Sequence, residues 1–566
     1  MKKRFTITSA LLYANGPIHL GHLAGAYLPA DIFSRYQKLK GHDVAFICGS
    51  DEHGAAITLQ AKKQGVSPKE IIDKYHNLNK ESFKKFGIDF SIYDRTSSKD
   101  HHETAQEVFK ILEKKNSFIK KSSEQFFDTD HNQFLADRYI VGDCPRCSAK
   151  EAYGDQCEKC GTALSPDELI NPKSSLSGKT PILKETTHWY LPMQDHEEWL
   201  KKWINSGELN NIKHHDPKLW RNQVIGQCNS WLESGLKERS MTRDLEWGVK
   251  VPIENSDGKV LYVWLDAPIG YISATKKLAL NSGMKWQDYW KGDKSELIHF
   301  IGKDILYFHA LFWPATLEYS NYRKPTKIFA HGFLTVNGEK MSKSRGTFIT
   351  ARSYLDEVKN TDYLRYYYAS KLSESMEDID LNLDDFVSKV NSDLVGKFIN
   401  IPSRTSGFLS KYFENKLTHK SDISKENGIE ILDKILQSES TIIELYEKRQ
   451  FSKLTRYLMS HVEELNEFIN NKAPWIIAKE ENQSLINSDL HQVCSLCIKS
   501  FRVLSIYLTP IVPELSTNIS RFFGEEAYAS FSRTQDDILI IKSYEHLLKR
   551  LERDDVDSMV SANLNN

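Results

Sequence analysis

Phe5-Thr-Ile-Thr-Ser-Ala-Leu-Leu12, followed at once by Tyr13-Ala-Asn-Gly-Pro-Ile-His19-Leu-Gly-His22, is the stretch on which the reading of this chain turns. The apolar run predicts a buried strand. Asn15-Gly-Pro17 marks a turn, and a helix is expected to begin near His19. A strand handing over to a helix in this way leaves free backbone N–H groups and the positive end of the helix dipole facing outward, a setting that favours an anion. His19 and His22, three apart, fall one turn apart on one helix face. Gly21 between them leaves room for a purine or ribose against the backbone.

Far downstream, Phe333-Leu-Thr-Val336 predicts a short strand and Asn337-Gly338 a hairpin turn. Lys340-Met-Ser-Lys-Ser344 then sets Lys340, Lys343 and two hydroxyls on a loop ahead of Gly346. Such a loop suits a triphosphate whose leaving pyrophosphate needs charge neutralisation. Alone, a histidine pair is usually ordinary surface or core, and a Lys/Ser loop is usually solvated. In this order and at this separation the two point to activation of a carboxylate by ATP. That carboxylate is already ionised at neutral pH, so the task is placement and charge stabilisation rather than general-base catalysis.

A chain of 566 residues is too long for one core, and length suggests about three or four domains. Hydrophobic content of 40% and charged content of 27% are those of an ordinary globular protein. The net charge of −1 offers no overall attraction for nucleic acid, so any RNA contact has to use local basic patches. Met1-Lys-Lys-Arg4 starts like a signal peptide, but Thr6, Thr8 and Asn15 spoil the apolar region that should follow. No apolar run approaches a membrane span, and a cytoplasmic protein without disulfides is expected.

Four of the eight cysteines stand as Cys144-Pro-Arg-Cys147 and Cys157-Glu-Lys-Cys160. Two such pairs can place four thiolates tetrahedrally around one structural Zn²⁺; the alternative is a redox dithiol. Cys494 and Cys497 share the spacing but lie in a helical stretch without a second pair, and with Cys48 and Cys228 they are expected in the core.

From Phe5 to about residue 115, apolar runs alternate with helical stretches, the pattern of a parallel sheet wrapped by helices. Residues 116–230, with the cysteine pairs, interrupt it; Lys259–Leu265 and Leu297–Ile301 read as further strands. The chain thus divides into a first half of an α/β nucleotide-binding fold (1–115), an insertion (116–230), the second half (231–325), the Lys/Ser loop region (326–388) and a helical remainder (389–566). Phe386, Val390, Leu394, Phe398 and Ile401 form a helical stripe in that remainder, with Asn400 and Arg404 one turn apart on its polar flank. Pro402 between them is expected to kink the helix, and the polar tail from Asp554 is expected to fray.

Ala14-Asn-Gly-Pro-Ile-His-Leu-Gly-His22, Phe46-Ile-Cys-Gly-Ser-Asp-Glu-His-Gly54, Tyr262-Val-Trp-Leu-Asp-Ala-Pro-Ile-Gly-Tyr271, Gly302-Lys-Asp-Ile-Leu-Tyr-Phe-His309, Lys340-Met-Ser-Lys-Ser344 and Ala473-Pro-Trp475 together carry a family resemblance. By these strings the chain resembles the class I aminoacyl-tRNA synthetases, and within them the bacterial methionyl-tRNA synthetases, over nearly its whole length. The resemblance implies a Rossmann-like catalytic domain split by a connective insertion with the zinc knuckle, and an all-α anticodon-binding domain. It implies attachment of L-methionine to tRNA(Met) through a methionyl-adenylate, releasing AMP and diphosphate, with Mg²⁺ accompanying ATP. His19, Gly21, His22, Lys340 and Lys343 would hold ATP and its transition state. Asp51 would take the α-ammonium group, oriented by an ion pair with Arg243. Leu11, Tyr13, Trp264, Ala267, Pro268, Tyr271, His309 and Trp313 would form the methionine pocket, whose aromatic walls suit sulfur. Asn400, Arg404 and Trp475 would read the anticodon; a solvated helix face, and packing for Trp475, are the alternatives. Asp51 has its own alternative as a turn or helix cap.

The sequence departs from the pattern at Leu12, where many relatives have proline, and at Gly396, where some have asparagine. No appended dimerising module fits in this length, so a monomer is expected. The rivals are a class I synthetase for isoleucine, valine, leucine or cysteine, a small-molecule nucleotidyltransferase, and an inactive paralogue serving as an RNA-binding module. The branched-chain enzymes need a larger insertion, and the cysteine enzyme would place zinc at its substrate.

Overall fold

The computed structural model describes residues 2–135, 137–154, 157, 159, 164–292, 294–341, 347–373, 376–479 and 486–563. Its centre is a parallel sheet in which Ile92–Arg95, Asp43–Asp51, Arg4–Ser9, Ser295–Gly302 and Lys327–His331 lie side by side. Phe5, Ile7, Phe46, Ile47, Leu297, Ile298, Phe300 and Ile301 are buried, the near-continuous apolar strands of a sheet covered on both faces. Arg4–Ser9 is the central strand. The chain first moves outward to one side of it, then returns after the insertion to add strands on the other. That reversal opens a crevice between the carboxyl ends of Arg4–Ser9 and Ser295–Gly302, the place where open α/β sheets bind ligands.

Thr8 faces Ile47 and Leu12 faces Ser50, so the inner strand spends one more residue than its neighbour over that interval. Ala10, whose N–H still donates to Phe300 C=O at 2.9 Å, and Leu11 line the crevice at this irregularity. After the turn the chain enters a helix at Leu20–His22, passes a π-helical turn at Leu23–Tyr27 and continues as Leu28–Leu39. Within the insertion, Ile119–Asp128 and Ile182–Leu191 form an antiparallel ribbon, and Ile140–Asp143 pairs with Ala152–Tyr153 and Ile170–Ser174 around the cysteines.

Three expectations are corrected. Of Lys259–Leu265 only Val260–Leu261 is a strand, paired with Thr242–Arg243, and Val263–Ser282 is a helix. Every residue from Leu265 to Thr275 in it is buried, and a helix enclosed on all sides carries no 3.6-residue period for a sequence to display. Pro402, expected inside a helix and kinking it, stands instead in the first turn of Asn400–Phe413, just after a π-helical stretch Val390–Phe398, where a missing donor costs little. The tail from Asp554 is not frayed as far as Asn563: Arg553–Ser561 is a helix whose Val556 and Met559 are buried. Beyond it, Asn563 accepts from the backbone N–H of Thr350 at 3.1 Å and donates to Ser353 Oγ at 2.8 Å.

The apolar stripe Phe386, Val390, Leu394, Phe398 and Ile401 is fully buried, as are Cys48, Cys228, Cys494 and Cys497. Asn337 (φ 49°) and Gly338 (φ 78°) make the expected hairpin turn between Leu334–Val336 and Glu339–Lys340. Among the described residues no helix is long and apolar enough to cross a membrane.

Candidate active site

The crevice is a cavity of about 880 Å³ lined by residues from both signature stretches. His19, Gly21, His22, Lys340 and Met341 are all part of its lining. What joins them is backbone pairing: Leu20 N–H donates to Ile349 C=O at 3.0 Å and Ala351 N–H to Ile18 C=O at 2.9 Å. The segment following the Lys/Ser loop is therefore stitched to the start of the histidine helix. A Cβ added at Gly21 would stand 3.1 Å from both the His19 ring and Met341 Sδ, so any larger residue there would crowd the two side chains. Lys343 lies outside the described residues.

The imidazoles of His19 and His22 stack at 3.7 Å between ring centroids. His22 Nδ1 accepts the His19 backbone N–H at 3.2 Å, which puts the His22 proton on Nε2. Burial lowers His19 to about 4, and burial followed by the neighbouring His19 lowers His22 well below the usual imidazole range. Both rings are neutral at physiological pH, N–H donors in the lining of the cavity.

Leu11, Tyr13, Asp51, Trp264, Ala267, Pro268, Tyr271 and His309 line the same cavity. Trp313 does not: it is buried in the core with its ring edge-on to Trp290 at 6.4 Å, a residue distant in sequence that supplies its apolar contact. His309 Nδ1 lies 3.1 Å from the Ile305 carbonyl, which can only accept, so Nε2 is left to accept the Tyr271 hydroxyl at 3.1 Å. Trp264 stacks on Phe308 at 3.8 Å. Burial, then the charge of Asp266, pushes the Asp51 carboxyl up to about 8 against the opposing pull of His53. Arg243 lines the cavity too, but its guanidinium lies 4.0 Å over the Tyr262 ring and donates to the carbonyls of Ser240 and Thr242 rather than to Asp51.

Beneath Asp51 lies a polar layer that sequence reasoning left unassigned. Asp266 is held by His53 and His101, and Glu52 by Ser50, Arg95 and Ser97, all with both carboxylates fully buried. His53, Glu52 and Asp266 stand inside quoted strings, which was the available signal. Nothing local ties them to His101.

In the insertion, the Sγ atoms of Cys144, Cys147 and Cys157 lie within 4.8 Å of one another, with Cys147 and Cys157 3.7 Å apart. Thiolates tetrahedrally arranged about zinc at ~2.3 Å stand ~3.8 Å apart, so this donor set can hold a metal ion. The Cys147 backbone N–H, followed by that of Arg146, holds the Cys144 thiol below its ordinary value. Cys160 lies outside the described residues.

In the helical remainder, Asn400 Nδ2 donates to Asn466 Oδ1 at 3.0 Å and Arg404 to Asn470 Oδ1 at 2.7 Å. Lys397 pairs with Glu463 at 2.7 Å. Each pair is 66 residues apart, so helix Phe451–Lys472 runs parallel and in register with the Asn400 helix. Arg404 also lies 4.8 Å over Trp475, which is 37% exposed. The three expected residues thus share one polar surface with Asn466 and Asn470. Those two were not foreseen, because a spacing of four on a helix shows a face but not its partner.

The family model described as tRNA synthetases class I (M) matches residues 5–406. The methionine–tRNA ligase of Neisseria meningitidis serogroup B is 41% identical over 571 residues, spanning 100% of this chain and 81% of its own length. That of Nitrosomonas europaea is 44% identical over 579 residues, 99% of this chain and 80% of its own. A solved structure of Mycobacterium tuberculosis methionyl-tRNA synthetase in complex with methionyl-adenylate shares the fold, with a TM-score of 0.77 at 20% identity over 97% of this chain and 99% of that one. A cavity built at the switch point from both signature stretches, and similarity of this extent, lead to one assignment: the chain belongs to the class I methionyl-tRNA synthetases, the methionine–tRNA ligases.

Proposed function

We propose that the chain joins L-methionine to ATP as methionyl-adenylate and passes the methionyl group to tRNA(Met), releasing AMP and diphosphate. The observation that carries this is the single cavity lined by a neutral histidine pair, Lys340, a half-buried carboxylate and several aromatic side chains. Asp51 takes the ammonium group, and Leu11, Tyr13, Trp264, Ala267, Pro268 and Tyr271 enclose the thioether over the His309–Tyr271 pair. The α-carboxylate then faces the α-phosphorus. His19 and His22 donate to phosphate oxygens as charge builds there, and Lys340 with Lys343 neutralises the pyrophosphate. Mg²⁺ arrives with ATP.

The same reading gives the five segments 1–115, 116–230, 231–325, 326–388 and 389–566 the roles of split catalytic domain, zinc-bearing connective insertion, Lys/Ser loop region and anticodon-binding domain. Asn400, Arg404 and Trp475 contact the anticodon, where stacking of a base on an aromatic ring is worth about 1–3 kcal/mol. The protein works as a cytoplasmic monomer. The deciding experiment is amino-acid-dependent ATP–pyrophosphate exchange across the twenty amino acids. Exchange driven best by methionine is expected; exchange driven best by another amino acid overturns the substrate, and none at all overturns the activity.

Two further outcomes are expected. Zinc held by Cys144, Cys147, Cys157 and Cys160 would supply structural cross-linking only, since four thiolates leave no open position. Cys144→Ser should lower bound zinc from about one ion per chain toward zero. Undiminished metal by elemental analysis would refute that ligand set. The second concerns pH. Asp51 in the free protein keeps its proton up to about 8, while the ammonium ligand requires the carboxylate. Binding must therefore expel a proton below that value, and KM for methionine should rise about tenfold per unit as the pH falls below 8, levelling above it. A flat KM between pH 6 and about 8.5 would contradict this.

A further inference from the structure

Asp266 is completely buried under the cavity, and two imidazoles hold its carboxylate: His53 Nδ1 is 2.6 Å from Oδ2 and His101 Nε2 is 2.5 Å from Oδ1. His101 is braced in turn by Ser273 Oγ, 3.0 Å from its Nδ1. The three residues come from different parts of the fold. His53 follows the strand Asp43–Asp51, His101 belongs to the helix Lys99–Lys114, and Asp266 to the helix Val263–Ser282. None of them is needed to grip a triphosphate. A carboxylate this deeply buried is costly unless every oxygen is satisfied, so the triad is a rigid joint rather than a reserve of charge.

What the joint connects is informative. The backbone N–H of His53 is directed at Asp51 Oδ1, 3.4 Å away, so the residue whose side chain is clamped is also the one that steadies Asp51. Asp266 lies on the helix that presents Trp264, Ala267, Pro268 and Tyr271 to the cavity. One end of the joint therefore sets the carboxylate for the ammonium group and the other sets the wall for the side chain. We propose that Asp266 and His53 are positioning residues that fix the distance between Asp51 and the aromatic wall, and with it the length of amino acid the cavity accepts. This rests on the reading of Asp51 as the ammonium site. A displacement of the order of 1 Å at such a site costs up to ~10²-fold in rate, so a loosened joint should show first as weaker and less selective methionine use.

The test compares His53→Asn, His53→Leu and Asp266→Asn by pyrophosphate exchange at about pH 8.5, where Asp51 is ionised. Asparagine places an amide N–H near the position of Nδ1, whereas leucine fills the space without a donor. His53→Leu and Asp266→Asn are expected to raise KM for methionine at least ~10-fold while leaving KM for ATP within about twofold, and to lower the preference for methionine over homocysteine by about tenfold. His53→Asn should recover methionine KM to within about threefold of the parent. A parallel rise in both KM values, or equal behaviour of the asparagine and leucine variants, would overturn the proposal as mere loss of structure. The His53 pair decides the matter even if Asp266→Asn yields no soluble protein. Asp51→Asn separates the two readings. An unchanged methionine KM there removes the ammonium site itself, whereas a raised one alongside an unaffected His53→Leu removes only the joint.

Discussion

Replacing His22 by asparagine is expected to slow methionyl-adenylate formation by about 10²–10³-fold while changing KM for methionine by less than about threefold. His22 uses Nδ1 to accept the His19 N–H, which commits its proton to Nε2. Burial keeps the ring neutral, so in the proposed mechanism it serves as a fixed N–H donor and not as an acid. Such a donor interacts weakly with ground-state phosphate and more strongly with the oxygens of the pentavalent transition state, which places its loss in kcat. Asparagine keeps an acceptor where Nδ1 stood and removes the distal donor. Glutamine carries an N–H nearer the position of Nε2 and should retain about tenfold more activity than asparagine. Pre-steady-state adenylate formation would read both. Equal activity in the two variants, or a loss confined to KM, would remove His22 from transition-state stabilisation.

The second large effect concerns the joint between the sheet and the helical remainder. Arg365, fully buried on the helix Thr361–Lys371, donates to Asp31 Oδ2 at 2.6 Å and to the carbonyls of Pro510 at 3.0 Å, Ile511 at 2.9 Å and Phe86 at 3.3 Å. Asp31, fully buried on Leu28–Leu39, also accepts Arg35 Nε at 2.8 Å and the Asp89 backbone N–H at 2.8 Å. Burial pushes the Asp31 carboxyl up, and Arg35 with Arg365 more than reverses that, holding it below the usual carboxylate range. Arg365→Met takes a donor from three carbonyls and one of the two guanidinium partners from the buried Asp31 carboxylate, and should destabilise the protein by about 3–5 kcal/mol in urea unfolding. Removing the acid as well, as Asp31→Leu with Arg365→Met, should recover a measurable part of that loss, because no buried carboxylate is then left with Arg35 as its one cation. A single-variant loss below about 1 kcal/mol would show the pair to be no stronger than a surface contact.

Much of the site was legible where the rules are local. The apolar run from Phe5, the turn at Asn15–Pro17 and the histidine spacing predicted a strand, a turn and a helix, which the structure has as Arg4–Ser9 and Leu20–His22. Asn337-Gly338 predicted its hairpin because few dipeptides adopt two successive positive φ angles. The helix Val263–Ser282 was misread at its start, since its enclosure on all sides erases the pattern that reading depends on. Trp313 was expected in the pocket by resemblance and lies against Trp290 instead.

By itself, the sequence determined the elements whose signal is a period or a dihedral preference: the parallel strands, the stripe from Phe386 to Ile401, the hairpin and the paired cysteines. Only the tertiary structure decided how they meet. It stitched Ile18 and Leu20 to Ile349 and Ala351, set Asp266 between His53 and His101, and matched Asn400 and Arg404 to Asn466 and Asn470. Those contacts join residues tens to hundreds of positions apart. Local propensity carries no information about such partners, because their pairing is chosen by the burial and hydrogen bonding of the whole fold.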